Sequence, residues 1–177
     1  LGAQVIKVED REKGDPSRGT EAIFGSSMSM ANGENLLFET ANRAKKSITL
    51  DLKKEKGRKL LYDLVSRADV FCTNFTQSTI ASLKIDFDTL KQYNPKLIYG
   101  VATGYGLSGP EKDKRAFDSV AQARSSIMYS VGGEPGSPPA QIGGPVFDQM
   151  TGTMLAYGIL AALVKKDRDG VGQQVEV

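Results

Sequence analysis

The chain has 177 residues, 40% of them hydrophobic and 25% charged, with a formal net charge of +2. That is enough chain for a hydrophobic core, and too little charge to make nucleic acid or a membrane surface the main partner. There is no histidine, which excludes Ser-His-Asp and Cys-His catalysis and most zinc sites, and one cysteine, Cys72, which excludes an intrachain disulfide and fits a reducing compartment.

The chain opens on Leu1-Gly2-Ala3-Gln4-Val5-Ile6-Lys7-Val8-Glu9, read as a strand already under way. Residues 10–33 are polar and glycine-containing, which predicts a surface excursion. Leu36 to Ala44 suits a short helix, and the alternation from Ser47 to Leu52 suits a strand. Between Glu55 and Ala68 the apolar residues Leu60, Leu61, Leu64, Val65 and Ala68 share one face of a helix. Val70-Phe71-Cys72 reads as a strand, with Cys72 a buried spectator. Two short helices are predicted over 78–83 and 86–93, the second capped by Asp86 and ended by Asn94-Pro95. Leu97 to Ala102 is a buried strand. Strand, helix, strand, helix, strand predicts a parallel, Rossmann-like α/β sheet flanked by helices.

Residues 103–116 read as a loop, 117–129 as one helix, and the glycine- and proline-rich stretch 132–144 as extended chain. A long helix is predicted from Asp148, with Met154, Leu155, Ile159, Leu160 and Leu163 on its apolar face and Lys165-Lys166 near its C-terminus. Its apolar stretch, Met154 to Val164, is interrupted by Gly158, so no membrane-spanning segment is expected. Asp169-Gly170 turns the chain into a last strand, Gly172 to Val177. Both ends read as strands in mid-course, so further sheet is expected on either side.

With histidine absent, chemistry falls to carboxylates, Lys, Tyr or Ser. The candidate is Asp148, preceded by Gly143-Gly144-Pro145 and followed at once by the helix. Two readings stand: an N-cap serving free backbone N–H groups, which spacing alone favours, or a carboxylate held ionised by dipole and donors and able to attack a carbonyl.

Eight segments in order resemble the class III (CaiB/BaiF, formyl-CoA transferase-like) coenzyme A transferases. They are Leu1–Glu9; Gly14-Asp15-Pro16-Ser17-Arg18-Gly19; Asn42 to Lys53, similar to N-x-x-K-[RK]-S-[IV]-x-L-[DN]; Ala68 to Phe75, similar to A-D-V-x-[VI]-x-N-[FY]; Asn94 to Tyr99 with Gly104-Tyr105-Gly106 and Gly109-Pro110; Phe117-Asp118 with Ala121-Gln122; Asp148 with Gly152; and Gly172-Gln173-Gln174-Val175.

The resemblance implies that 1–177 is a single α/β domain, the N-terminal part of a large CoA-binding domain, with both flanks and a small domain lying outside it. Asp148 aligns with the aspartate that attacks an acyl-CoA thioester. Asn74 and Phe75 align with residues lining the pantetheine portion of CoA, and Leu50 with one near the adenine. Lys53 and Arg115 fall where basic side chains approach the CoA phosphates. The residue readings beside these are a turn residue for Asn74, core packing for Phe75, and solvated charge for Lys53 and Arg115. Asp10 stands where some members carry a basic residue, which Arg11 next door can replace, and Ser82 stands at a position that is Arg in some. The family further implies acyl-CoA and carboxylate substrates, no metal, a cytoplasmic location and an interlocked homodimer. Two alternatives remain. One is an α-methylacyl-CoA racemase, whose histidine would stand where Phe117 does. The other is an inactive CoA-binding or interaction module.

Overall fold

A computed structural model describes residues 2–23 and 25–177. The chain divides into two compact units, Leu1–Leu61 and Tyr62–Val177.

In the first unit, β1 (Val5–Glu9) is followed by a 3-10 turn at Pro16–Gly19 and a short antiparallel pair, β2 (Ala22–Ile23) and β3 (Ser26–Ser27). The excursion expected over 10–33 is therefore ordered by local bonds. The helix α1 (Leu36–Asn42) starts where Asn35 accepts from the N–H groups of Leu37 and Phe38. It ends before Ala44, whose φ is 59°. Strand β4 (Lys45–Thr49) pairs in parallel with β1, Val8 opposite Ile48. It is earlier than the alternation suggested, because the Asp51 carboxylate accepts from the Lys53 N–H and turns the chain. Glu9, 7% exposed, accepts from Ser47 Oγ at 2.8 Å, with Lys7 and Arg18 nearby. Lys7 also pairs with Asp15, and the Arg18 guanidinium lies 3.7 Å from the centre of the Phe38 ring. These contacts pin the loop after β1 against β1, β4 and α1. Helix α2 (Glu55–Val65) begins in this unit and ends in the second.

In the second unit, β5 (Val70–Thr73), α3 (Gln77–Leu83), α4 (Phe87–Leu90) and β6 (Ile98–Val101) follow in the predicted order. The single helix expected over 117–129 is two, α5 (Asp118–Arg124) and α6 (Ile127–Gly132). Ser125 Oγ bonds back to the Gln122 carbonyl and Ser126 enters the left-handed region at φ 64°, which breaks the helix. Helix α7 (Val146–Asp169) leads through Gly170 into β7 (Gln173–Glu176). The strand order is β5-β6-β7, all parallel. Central β6 is wholly buried, and the core is built from Val65, Ile80, Ile85, Leu90, Leu97, Ile98, Tyr99 and Val101. Cys72 on the edge strand β5 is exposed rather than buried. Protein around its sulfur still pushes the thiol up, so it is not an activated nucleophile.

At 24 residues α7 is long and apolar enough to cross a bilayer by length and composition, because Gly158 does not interrupt it. That corrects the reading of the sequence. One face packs on the sheet: Leu155 and Ile159 lie over Gly100, and Gly158 lies against Val175. Gly158 is what permits this approach, since a Cβ there would stand 2.7 Å from Val175 Cγ1. A β-branched side chain has little freedom to yield. Gly158→Ala is therefore expected to cost about 1–3 kcal/mol, the usual range for overpacking, checked by chemical denaturation with the β7 amides followed by NMR.

The same contacts fix the helix direction. Lys166, near the end of α7, pairs with Asp69 just before β5, and Gly158 meets Val175 on β7. Helix α7 therefore runs antiparallel to the strands. Its N-terminus projects past their carboxyl ends, where ligands bind in open parallel sheets.

Candidate active site

Helix α7 starts at Val146, two residues before Asp148, which therefore lies in the first turn and is not the cap. The cap comes from another helix. Asp118, at the start of α5 and 6% exposed, accepts through Oδ2 from the N–H of Phe147 at 2.6 Å and of Asp148 at 3.0 Å. Its Oδ1 accepts from Gln122 Nε2 at 2.5 Å. Gln122, fully buried and one turn along α5, also takes the Ile142 N–H at 2.9 Å and donates to the Gly144 carbonyl at 3.2 Å. The N-cap reading of Asp148 thus falls: the helix has already begun at Val146, and its first free N–H groups are held by Asp118.

The Asp148 side chain is not engaged by a hydrogen bond or ion pair among the described residues, and the residue is exposed. Its carboxyl is pushed above the usual aspartate value, first by partial burial and then by the negative Asp118 beside it. The expectation that the helix dipole and N–H donors hold it firmly ionised is corrected, because those donors go to Asp118. A poorly stabilised carboxylate is more basic and correspondingly more nucleophilic. Asp148 stands seven residues before Leu155, about 10 Å further along the helix at 1.5 Å per residue. It therefore lies beyond the carboxyl ends of β6 and β7.

On the same side of the sheet, Asn74 is the first residue past β5 and is exposed. Phe75 follows, 44% exposed, so core packing is not its role. Its N–H donates to Thr73 Oγ1 at 3.3 Å. The loop after β6 is tied down by Thr103, whose Oγ1 accepts from the Gly106 N–H, and by Glu176, which accepts from the Leu107 N–H. Glu111 holds Arg124 at 2.8 Å, and Arg124 lies over the Tyr105 ring. Arg115 is exposed in this loop, three residues before Asp118. Ser82 bonds back to the Thr79 carbonyl within its own helix.

In the first unit the remaining candidates gather at the carboxyl ends of β1 and β4. Leu50 is half-buried, and its N–H donates to the Glu9 carbonyl at 3.1 Å. Lys53 is exposed just beyond it. The Asp10 carboxylate accepts from the N–H groups of Lys13 and Glu12, which hold its pKa down, and Lys53 adds to this. Asp10 is thus a turn-former, and Arg11 beside it is exposed to solvent. Every candidate binding residue after a strand therefore lies at the carboxyl end of that strand, the common location of cofactor loops in parallel sheets.

Two residues of a matching segment, Asp118 and Gln122, show their roles only in the structure. The carboxylate of Asp118 and the amide of Gln122 act on residues 20–30 positions away, and their one local mark is the four-residue spacing of acid and amide on a helix.

The profile of CoA-transferase family III matches residues 1–177. The succinate–glutarate CoA-transferase of Agrobacterium fabrum is 40% identical over the whole chain, which covers 44% of that protein. The cinnamoyl-CoA:phenyllactate CoA-transferase of Clostridium sporogenes is 37% identical over 99% of the chain, which covers 42% of it. The crystal structure of a CAIB/BAIF family protein from Brucella suis superposes with a TM-score of 0.86 at 35% identity, with coverage of 99% of this chain and 45% of that one. The chain thus spans less than half the length of these relatives. By its full-length match, the chain belongs to CoA-transferase family III.

Proposed function

We propose that this protein moves coenzyme A from an acyl-CoA to a carboxylic acid, with Asp148 as the covalent carrier. The observation that supports this most is the pairing of Asp118 and Asp148. One carboxylate is spent on the helix start and the other is left free, exposed and raised in basicity. In this reading an Asp148 oxygen attacks the thioester carbonyl, the C–S bond breaks and CoA leaves as the thiolate. The thiolate then attacks the Asp148 carboxyl carbon of the mixed anhydride, releasing the donor acid and leaving an aspartyl-CoA thioester. The incoming carboxylate attacks that thioester and displaces the thiolate. Thiolate attack on the acceptor's acyl carbon then forms the new acyl-CoA and regenerates Asp148. No external oxidant, metal or proton donor is needed to balance these steps.

Asn74 and Phe75 would line the pantetheine arm and Leu50 the adenine, with Lys53, Arg115 and Arg11 toward the phosphates. Residues 1–177 act in this reading as part of one large CoA-binding domain, in a cytoplasmic homodimer. A racemase reading lacks its second proton-transfer group, because Phe117 stands at that position and the chain has no histidine. Hydroxylamine added during turnover with an acyl-CoA is expected to convert Asp148 to its hydroxamate, located by peptide mass spectrometry. Sustained transfer with Asp148 unmodified would remove the covalent reading.

A further inference from the structure

An amide side chain with no exposed surface is costly unless its donors and acceptor are all occupied. Gln122 is such a residue, and its partners are unevenly distributed. None lies on the sheet. Its Oε1 accepts from the Ile142 N–H at 2.9 Å, and its Nε2 donates to Asp118 Oδ1 at 2.5 Å and to the Gly144 carbonyl at 3.2 Å, with the Ile142 carbonyl at 3.4 Å. Everything it holds belongs to the approach to Asp148: the Ile142–Gly144 segment and the carboxylate that caps α7. Gly143 and Gly144 have no side chain to anchor them, so this segment needs an external tie. Beyond Gly144 the chain passes through Pro145 directly into α7.

We infer that Gln122 is a positioning residue for Asp148, fixing the Ile142–Gly144 approach and the Asp118 carboxylate in the arrangement that receives the Phe147 and Asp148 N–H groups. Its catalytic consequence rests on Asp148 being the carrier, whereas the placement itself does not. A residue serving only global stability would, when changed, loosen the whole unit together. A positioning residue loosens one place.

The test is amide hydrogen exchange on the longest form of the protein carrying Gln122→Met, which nearly keeps the volume and removes the hydrogen bonds. Protection at Phe147 and Asp148 is expected to fall about tenfold or more, the effect of losing an anchoring hydrogen bond. The β6 amides, Ile98 to Val101, should stay within about twofold of wild type on the same scale. Unchanged protection at 147 and 148, or an equal fall at β6, would overturn the inference.

Gln122→Glu serves where Gln122→Met does not fold. When ionised, the introduced carboxylate faces Asp118 and two carbonyls as an acceptor only. When protonated, it can again donate to Asp118 while accepting from the Ile142 N–H. Protection factors at 147 and 148 are therefore expected to recover as pH falls, and failure to recover would count against the assignment. The exchange result stands apart from the hydroxamate experiment. If Asp148 proves not to carry the acyl group, exchange still decides whether Gln122 positions it.

Discussion

Replacing Asp148 with Ala is expected, under the proposed mechanism, to lower CoA transfer by on the order of 10³-fold or more, because it would remove the atom proposed to carry the acyl group rather than one that assists it. The measurement is kcat/KM for a turned-over acyl-CoA and acid pair, in the longest form of the protein that supports turnover. Retention of more than a few per cent of activity would sink the assignment. The fold is expected to survive and even to gain. The side chain is exposed and makes no cap bond, and in its ionised form it faces the negative Asp118. A carboxyl whose folded pKa is raised is penalised as an anion, so it weakens the native state fully above the folded pKa and no longer below the ordinary, unfolded value. Asp148→Asn should therefore melt slightly higher than wild type at neutral pH, the gain kept small because solvent screens an exposed charge. The gap should close as pH falls through the folded pKa and wild-type Asp148 takes up its proton. An equal gap at all pH values would show that charge is not its cause.

The contrast between the local pattern around Asp148 and its place in the structure explains how far the sequence could be read. Strand β6 was legible because Leu97 to Val101 is an unbroken apolar run, and such runs occupy buried central strands. Helix α7 was legible from its apolar positions, but its first residue was not. An Asp before an apolar helix has the pattern of a cap, and nothing close by in the sequence says that the cap arrives from Asp118, about thirty positions earlier. The break between α5 and α6 was missed for a similar reason, since two serines weaken a helix without forbidding it. The nucleophile reading came from the ordered family segments rather than from spacing. The geometry removes the capping role and leaves the carboxylate without a hydrogen bond among the described residues. Arg18 falls within a matching segment, yet its contacts with Glu9 and the Phe38 ring depend on three elements meeting and have no sequence signature.

Asp118→Ala is expected to be the most damaging single change to the site's structure. It leaves the Phe147 and Asp148 N–H groups without their acceptor and strips the buried Gln122 amide of its charged partner. Loss of an N-cap costs about 1 kcal/mol, and a hydrogen bond to a charged group contributes about 1.5–3. A total near 2–4 kcal/mol is expected, or a fall in Tm of roughly 5–15 °C at 2–4 °C per kcal/mol for a chain of this length. Asp118→Asn separates this structural effect from the electrostatic one. The amide keeps one oxygen for the helix start but removes the negative charge that helps hold the Asp148 carboxyl up. The Asp148 pKa should then move down toward the ordinary aspartate value, so the acidic limb of the transfer rate should shift to lower pH. Transfer at neutral pH should fall at the same time, because a less basic carboxylate is a weaker nucleophile. A variant that loses stability but keeps its acidic limb in place would assign Asp118 to the helix start alone. A limb that moves down would mean that the carboxylate capping α7 also tunes the one that reacts.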